Sequence, residues 1–318
     1  MKEEKRNIEF YQRKLCKLRV DRSSGLAPHK PILLLSVLEL IERGEIKENR
    51  IYPSADLIAT FHKYWKYLGS DTHHALFYLP FYHLRGDGFW HLESPESLRK
   101  IIGSFRPKSL RSLKEIVYYA KFDSRLFNFL IQPQPRHLLI DTVIQHWFSE
   151  KQQAVQALLK QDALSEFQGE LEKNGGKIYA PEEVEDEEKN IVRSAAFRRV
   201  ITGIYEKCCA CCGLQVIASD GRGIVDGAHI RPFSRFFDDR ITNGIALCKN
   251  HHWAFDRGWF GIDKNYKMII SKSLWEKTTY SPFLTAFEGK KITLPIYEKH
   301  YPDPDSLAWH YENCFQKP

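Results

Sequence analysis

The chain has 318 residues, of which 43% are hydrophobic and 13% aromatic, and its formal net charge is +7. This length favours two domains, and the hydrophobic content excludes a chain that is disordered throughout. No apolar run is long enough to cross a membrane, and the charged N-terminus leads into no apolar segment. We therefore expect a cytoplasmic protein with no membrane partner.

Apolar residues recur with helical spacing along much of the chain, in residues 4–20, 32–41, 54–68, 109–131, 138–148, 150–172 and 191–207. One segment is patterned differently. The apolar run 76–84, the turn Gly86-Asp87-Gly88 and the run 89–92 predict a β-hairpin.

A change of composition suggests where the domains divide. Asn174-Gly175-Gly176 interrupts the helical pattern, and six acidic residues follow between Pro181 and Lys189. The sequence therefore predicts an N-terminal domain over 1–173, an acidic linker over 174–188 and a C-terminal domain over 189–318.

Four of the seven cysteines lie between Cys208 and Cys212, which suits a metal site in a reducing cytosol better than disulfides. Two short motifs, Cys209-x-x-Cys212 and Cys248-x-x-His251, form a pair of knuckles of the kind that closes a structural Zn²⁺ site. Cys208 and Cys211 offer a competing register. We favour 209 and 212 because Gly213 then follows the second ligand, where the backbone must be permissive.

Residues able to do chemistry are interleaved with these knuckles, in the order His229, Asn243, His252. The phrases that contain them resemble the HNH endonuclease family over about 193–318: AHIRP (228–232), NGIALC (243–248) and HHWAFDRG (251–258). YPDPD (301–305), with Trp309-His310 beyond, resembles the tail of restriction-type members. The resemblance implies a ββα-metal fold, in which two strands and a helix surround one divalent ion.

The resemblance also implies a role for each matching residue. His229 is the general base that deprotonates the attacking water, a task that suits an imidazole. Asn243 orients His229 through an amide hydrogen bond. His252 binds the catalytic Mg²⁺ or Mn²⁺, and Asp256, one helical turn later, is a second ligand.

The chain departs from the family directly before the base. Many members carry aspartate or histidine there as a metal ligand, whereas this chain has Ala228. The nearest acid is Asp226, which strand alternation places on the opposite face from His229. Asp226 is the third candidate ligand of the catalytic metal, and its position on the opposite face argues against that role.

A second resemblance covers about residues 8–150. The phrases APHKPILLL (27–35) and LPFYHLRGDGFW (79–90) resemble the sulfur-binding domains, which recognise phosphorothioated DNA. The resemblance implies that His29 and Lys30 contact DNA and that a pocket containing Pro80 receives the sulfur.

Further residues are assigned to the same surface. Leu79 and His83 would line the pocket, Arg85 adds basic charge beside it, and Arg106 would clamp the DNA backbone. A dry pocket favours sulfur because a phosphate oxygen loses more hydration on entry. His83 is a departure, since the family tends to have a small residue near this position and histidine narrows the pocket.

Together these features predict an α+β protein with a mostly helical N-terminal DNA-recognition domain that contains a β-hairpin. Its C-terminal domain is a ββα-metal nuclease domain with a structural zinc knuckle pair. The predicted function is a modification-dependent (type IV) restriction endonuclease that binds phosphorothioated double-stranded DNA and hydrolyses nearby phosphodiester bonds with a divalent metal.

Two alternatives remain. One is an HNH restriction endonuclease that reads a modified base or a short unmodified sequence. The other is a zinc-stabilised DNA-binding protein with an impaired nuclease site, which Ala228 favours. A single HNH site cuts one strand, so a double-strand break requires a homodimer or two binding events.

Overall fold

The computed structural model describes residues 6–219, 221–278 and 283–317. The chain divides into two compact units, Met1–Leu164 and Ser165–Pro318. Both combine helices with two-stranded antiparallel sheets, which confirms the α+β class. None of the described helices is long and apolar enough to span a membrane.

The first unit is mainly helical. Its helices are α1 (Ile8–Cys16), α2 (His29–Glu42), α3 (Ala55–Leu68), α4 (Tyr78–His83), α5 (Leu110–Ile116), α6 (Ser124–Leu130), α7 (Pro133–Trp147), α8 (Gln152–Leu158) and the start of α9 (Ala163–Asn174). Helix α2 is buried from Lys30 to Ile41 and packs against α3, α4 and α7. Its continuous apolar sequence follows from this central position, because every face of the helix meets protein.

The prediction that residues 76–84 form the first strand of a hairpin is wrong. Residues 78–83 form the short helix α4, and a 3-10 turn over Leu84–Asp87 follows it. The two strands of this unit are β1 (Trp90–Glu93) and β2 (Tyr119–Phe122), and they pair with each other. An apolar run of this length fits a strand or a buried helix, and Pro80, which lacks an N–H group, suits the first turn of a helix.

Strand β2 also corrects the predicted helix over 109–131. The chain forms α5, crosses the sheet as β2 and then forms α6. Ala120 and Phe122 are buried on one side of β2, while Tyr119 and Lys121 are partly exposed. This alternation has a period of two and is too short to stand out between two helical segments.

The second unit contains α10 (Glu187–Ile204), β3 (Val225–His229), α11 (Phe233–Phe236), β4 (Gly244–Cys248), α12 (Lys249–Asp256), β5 (Phe260–Ile262), β6 (Met268–Ile270) and α13 (Pro304–Asn313). Strands β3 and β4 are antiparallel, with His229 opposite Gly244. A Cβ at Gly227 would lie 2.9 Å from the Arg198 backbone, and one at Gly244 would lie 2.3 Å from Ile201 Cδ1. Glycine at both positions therefore lets α10 pack directly on the β3–β4 pair.

The segment predicted as the acidic linker, 174–188, has defined partners in the second unit. The N–H of Asp239 donates to Lys177 O at 3.0 Å, and the N–H of Tyr179 donates to Phe237 O at 2.9 Å. A Cβ at Gly176 would lie 2.1 Å from Asp239 O. Residues 175–179 thus lie against the loop that follows α11, and the chain enters α10 at Glu187.

The last described residues pack around α12. The ring of His310, on α13, stacks on Phe255 with 3.7 Å between centroids. The backbone N–H of Gln316 donates to Gly258 O at 2.8 Å. Gly258 has a φ of +64°, and a Cβ there would lie 1.8 Å from Cys314 O, so this close approach requires glycine.

Candidate nuclease centre and DNA-binding pocket

Four side chains meet in one cluster of the second unit, with ligand atoms all within 4.8 Å of one another: Cys209, Cys212, Cys248 and His251. These are the four residues of the predicted register, and the cluster does not include Cys208 or Cys211. Gly213 has a φ of +69°, and its N–H donates to Cys209 O at 2.9 Å. Three thiols and an imidazole at these separations fit a closed, tetrahedral zinc site.

The cluster connects three parts of the nuclease unit. Cys209 and Cys212 lie in the turn after α10, Cys248 ends β4, and His251 lies in the first turn of α12. His251 is only 1% exposed, and its Nδ1 lies 3.1 Å from Cys248 Sγ. A metal bound here fixes the junction between β4 and α12, and so fixes the start of the helix that carries His252.

His229, the predicted base, is held by a buried carboxylate that sequence reasoning missed. Its Nε2 lies 2.8 Å from Asp239 Oδ1, and Asp239 is fully buried. The other oxygen of Asp239 accepts from the Arg193 guanidinium. The His229 ring also stacks on Phe197 of α10, with 3.9 Å between centroids and an interplanar angle of 2°.

Asn243 does not hold the His229 ring, which corrects that expected hydrogen bond. Its Oδ1 accepts from the Arg231 N–H at 2.9 Å, and its Nδ2 donates to Arg231 O at 3.1 Å and to Asp238 O at 3.0 Å. Asn243 is fully buried. It therefore ties the backbone just after His229 to the backbone just before Asp239, and acts on the base only through that loop.

The three candidate ligands of the catalytic metal lie close together. His252 Nδ1 is 3.9 Å from Asp226 Oδ2, and His252 Nε2 is 3.6 Å from Asp256 Oδ2. The two carboxylates face different nitrogens of the His252 ring. An ion bound to Nδ1 would therefore lie near Asp226, and an ion bound to Nε2 would lie near Asp256. Lys249 Nζ lies 2.7 Å from Asp226 Oδ2 and neutralises that carboxylate.

Strand geometry places Asp226 on the same face of β3 as position 228, where the acid is missing. Residues two apart on a strand share a face, so Asp226 lies on the face of Ala228 and not on that of His229. The proximity of Asp226 to His252 shows that this is the α12 face, whereas His229 stacks on α10. The expected alternation is therefore present, and it brings Asp226 to the helix that carries His252.

In the first unit, a cavity of about 650 Å³ brings together five of the seven predicted DNA-binding residues: His29, Lys30, Leu79, Pro80 and His83. His29 is in the first turn of α2, and the other side of the cavity is formed by α4. The His29 ring lies 4.5 Å from that of Trp65, and His29 Nε2 is 2.8 Å from His74 O. His73 and His74 also line the cavity, so imidazoles surround an otherwise largely apolar site.

The basic residues of this surface differ in how they are held. Lys30 Nζ lies 2.7 Å from Asp87 Oδ2 in a buried ion pair, rather than standing free as a phosphate contact. Arg85 donates to Tyr82 Oη at 2.8 Å and stacks over that ring. Arg106 donates to Phe105 O at 2.9 Å and is exposed. Neither arginine lines the cavity.

Two histidines of the cavity are kept neutral by their surroundings. Burial is the main cause that lowers the pKa of His29, and the charge of nearby His73 lowers it further. The hydrogen bond to the His74 backbone acts in the opposite direction. Partial desolvation, followed by the charges of Lys30, Arg106 and Arg85, lowers the pKa of His83. The lowered pKa values favour the neutral forms of His29 and His83, so the cations at the cavity wall are Arg19 and Lys30.

The residues missed by sequence reasoning share one property. Asp239, Arg193 and Arg19 reach their sites from loops or helices outside the two families' motif phrases. The Asp238-Asp239 pair between the HNH phrases was the available signal in the sequence. It did not distinguish the acid that faces His229 from the one that pairs with Arg240.

Comparison with known families supports both resemblances. Residues 200–263 match the HNH endonuclease family model, and residues 10–166 match the model of the ScoMcrA-like DNA sulfur-binding domain. A search of curated proteins gives no match.

Solved structures show weaker similarity. A modification-dependent TagI restriction endonuclease is 26% identical over 40% of this chain and 40% of its own length, with a TM-score of 0.30. The sulfur-binding domain of ScoMcrA complexed with phosphorothioated DNA is 22% identical over 47% of this chain and 98% of its own, with a TM-score of 0.36. The type IV phosphorothioation-dependent restriction endonuclease ScoMcrA is 13% identical over 77% of this chain and 94% of its own, with a TM-score of 0.37.

The family assignment therefore rests on the two family models and on the residues described above. The cavity around Pro80 lies inside one matched region, and His229, Asn243 and His252 lie inside the other. The chain thus contains one region that matches the ScoMcrA-like DNA sulfur-binding domain family and a second region that matches the HNH endonuclease family.

Proposed function

We propose that this protein is a phosphorothioate-dependent restriction endonuclease, in which the first unit binds the modified DNA and the second hydrolyses a phosphodiester bond nearby. The observation that carries the proposal is the cavity formed by His29, Leu79, Pro80 and His83 within the region that matches the sulfur-binding family.

Recognition follows from the difference between sulfur and oxygen. A phosphorothioate sulfur is larger and less hydrated than a phosphate oxygen, so entry into an apolar site costs it less hydration. Pro80 is buried and has no N–H group that could donate a hydrogen bond to a phosphate oxygen. Neutral His29 and His83 line the same cavity, and Lys30 is paired with Asp87.

In the nuclease unit, the surroundings of His229 support its role as the general base. A carboxylate only accepts hydrogen bonds, so Asp239 holds the proton of the neutral ring on Nε2. Nδ1 is then the atom that accepts the proton of the attacking water. The Arg193 guanidinium pairs with the other oxygen of Asp239, so the buried carboxylate has a cationic partner.

Asp226 and His252 are the residues that we propose as ligands of a catalytic Mg²⁺ or Mn²⁺. A carboxylate on a strand and an imidazole on a helix form a donor set that leaves room for water and phosphate. The bound ion supplies charge neutralisation on the phosphate and on the leaving oxygen. We assign to Asp256 the orientation of His252, because it faces the ring nitrogen opposite the one near Asp226.

Zn²⁺ bound at Cys209, Cys212, Cys248 and His251 would have a structural role. All four positions of a tetrahedral ion are taken by protein ligands, so none is left for water or substrate.

The test compares duplexes that are identical except for one phosphorothioate of defined stereochemistry, with Mn²⁺ present. We expect tighter binding and faster cleavage of the modified duplex, and H229A should bind it as the unchanged protein does while cleaving at least about 10²-fold more slowly. Equal affinity for the two duplexes would exclude sulfur recognition, whereas full activity of H229A would exclude the assigned base.

We also propose that two chains act together when both strands are cut, because one HNH centre cuts one strand. Sedimentation of the protein with a modified duplex measures this directly. A single chain per duplex that still produces double-strand breaks would contradict it.

A further inference from the structure

A second, strongly basic groove lies next to the cavity around Pro80. It has a volume of about 430 Å³ and is lined by Phe10, Arg13, Lys14, Lys17, Arg19, Gly86, Asp87 and Gly88. We call it the α1 groove. Arg19 and Gly86 line both the α1 groove and the cavity around Pro80, so the two form one continuous surface.

Helix geometry explains why the cations converge. Phe10, Arg13, Lys14 and Lys17 are spaced i, i+3, i+4 and i+7, which places them on one face of α1 and its C-cap. The opposite face is apolar, with Tyr11 and Leu15 buried. Packing of that face on the first unit fixes α1 and turns the basic face outward.

The charge of the groove is not balanced from within. Its one acidic residue, Asp87, is 6% exposed and already accepts from Lys30 Nζ at 2.7 Å and from the Arg19 N–H at 2.7 Å. Within residues 6–219, 221–278 and 283–317, no carboxylate lies within ion-pair distance of Arg13, Lys14, Lys17 or Arg19. Like charges held this close repel one another, and a polyanion relieves that repulsion.

We propose that the α1 groove binds the phosphate backbone of the same DNA whose modified phosphate enters the cavity around Pro80. The inference rests on the proposed function for the choice of DNA. The groove extends recognition to one side of the modification, and it adds affinity without reading sequence or sulfur, because lysine and arginine meet only the phosphates there.

The test uses the full chain carrying R13A and K17A, two positions on α1 or its C-cap whose side chains reach solvent. The matched control carries K47A and R50A, which remove the same two charge types. These two residues follow the C-terminal end of α2, whereas the N-terminal end of α2 lines the cavity around Pro80. The helix has 14 residues, so its two ends are about 20 Å apart.

Dissociation constants are measured over a series of salt concentrations, for the modified duplex and for its unmodified counterpart. For R13A/K17A we expect both duplexes to bind more weakly by the same factor. The slope of log K against log salt should fall by about 0.9 for each phosphate that the variant no longer neutralises. The K47A/R50A control should leave affinity and slope unchanged.

A second readout locates the DNA on the protein. Duplexes of increasing length on either side of the modification should gain affinity on one side with the unchanged protein, and R13A/K17A should remove that one-sided gain. Unchanged slopes, or equal effects in the variant and the control, would overturn the proposal. If sulfur recognition fails, the unchanged protein binds both duplexes with equal affinity, which is a different result. In that case the salt dependence of binding to unmodified DNA still shows whether the α1 groove binds phosphates.

Discussion

At the residue scale, the nuclease centre depends on a chain of interactions behind His229. Arg193 pairs with Asp239, Asp239 binds His229 Nε2, and Phe197 stacks on the imidazole. The hydrogen bond to Asp239 restricts the proton position and rotation of the ring, the stack on Phe197 restricts its plane, and Arg193 holds Asp239 in place. As the proposed base, His229 held in this way would need little reorganisation when the water is deprotonated.

Replacing Asp239 with asparagine tests this arrangement. The amide can present either its oxygen or its NH₂ group to His229, and Arg193 is left without its charged partner. We expect single-turnover cleavage to slow by about 10² or more, with DNA affinity unchanged. ¹⁵N spectra of the His229 ring should show a shift in tautomer.

Asp238 provides the matched control for this prediction. It is also buried, at 2% exposure, but its carboxylate pairs with Arg240 rather than with His229. D238N should therefore destabilise the loop without changing the tautomer of His229. Equal effects of D238N and D239N on cleavage and on the ring spectrum would show that Asp239 acts only through folding.

Substitutions of Asp226 and Lys249 should change the metal concentration required for cleavage in opposite directions. D226N removes a proposed ligand, so the Mn²⁺ concentration for half-maximal cleavage should rise by about tenfold or more. K249M removes the cation that competes for Asp226 at 2.7 Å, so that concentration should fall. Titration of cleavage with Mn²⁺ measures both, and a shift in the same direction for the two variants would contradict the assignment.

Sequence patterns predict the centre only in part. The His229, Asn243 and His252 positions follow from motif phrases, and the Cys-x-x-Cys and Cys-x-x-His spacings identify the four residues of the cluster that could hold a metal. The partner of His229 does not, because Asp239 is brought to it by a loop whose path depends on the hydrogen bonds of the buried Asn243. The role of Asp226 depends on which strand face α12 covers, and alternation alone does not say this.

At the scale of elements, the stacking of α13 on α12 makes the nuclease unit sensitive to acid. Burial lowers the pKa of His310 from 6.5 to about 4, against a hydrogen bond to Phe255 O. That bond uses Nε2, and among the described residues Nδ1 is buried without a partner. A proton on Nδ1 would therefore lack an acceptor.

The pH dependence follows from this lowered value. Between pH 6.5 and about 4 the unfolded chain binds the proton of His310 and the folded chain does not, so stability falls as the pH falls through that window. The decrease is on the order of 3 kcal/mol. In H310F, which keeps the ring stack and cannot titrate, the free energy of unfolding should fall less over the same window.

Chemical denaturation of both proteins at several pH values measures the difference between their slopes. Protonation of the zinc ligands affects both equally and cancels in this comparison. Parallel pH curves for the two proteins would show that His310 is not the sensitive group.

Hydrophobic periodicity is sufficient to predict some of these elements but not others. Helix α3 begins one residue after the predicted start and ends at the predicted residue, because its amphipathic pattern is long and Ser54 caps it. Helix α4 differs from the predicted strand, since a mainly apolar segment of six residues, three of them buried, is too short to show a distinguishing period. Interactions distant in sequence, such as the hydrogen bond from Trp90 Nε1 to Phe81 O at 2.9 Å, decide between the two.

At the scale of the whole molecule, the two compact units make separate predictions for metal removal. The zinc cluster lies in the second unit, where its cysteines form part of the hydrophobic core. Structural zinc contributes on the order of 10 kcal/mol to such domains. A zinc chelator should therefore abolish the cooperative unfolding of the second unit while leaving the transition of the first.

DNA binding is the second readout, because cleavage also needs the catalytic ion. The chelated protein should still prefer the phosphorothioated duplex, since the cavity around Pro80 belongs to the first unit. C314S, which removes a cysteine outside the cluster, should behave as the unchanged protein does. Disappearance of both transitions on chelation would show that the units do not fold independently.

The packing of residues 314–316 on Gly258 has a consequence for the timing of activity during synthesis. A chain emerging from the ribosome exposes the DNA-binding unit first, and α12 with its proposed metal ligand His252 later. The residues that pack on Gly258 and Phe255 come later still. Under the proposed function, translation completes the DNA-binding unit before the nuclease unit, and the delay is at least the time needed to translate residues 259–317.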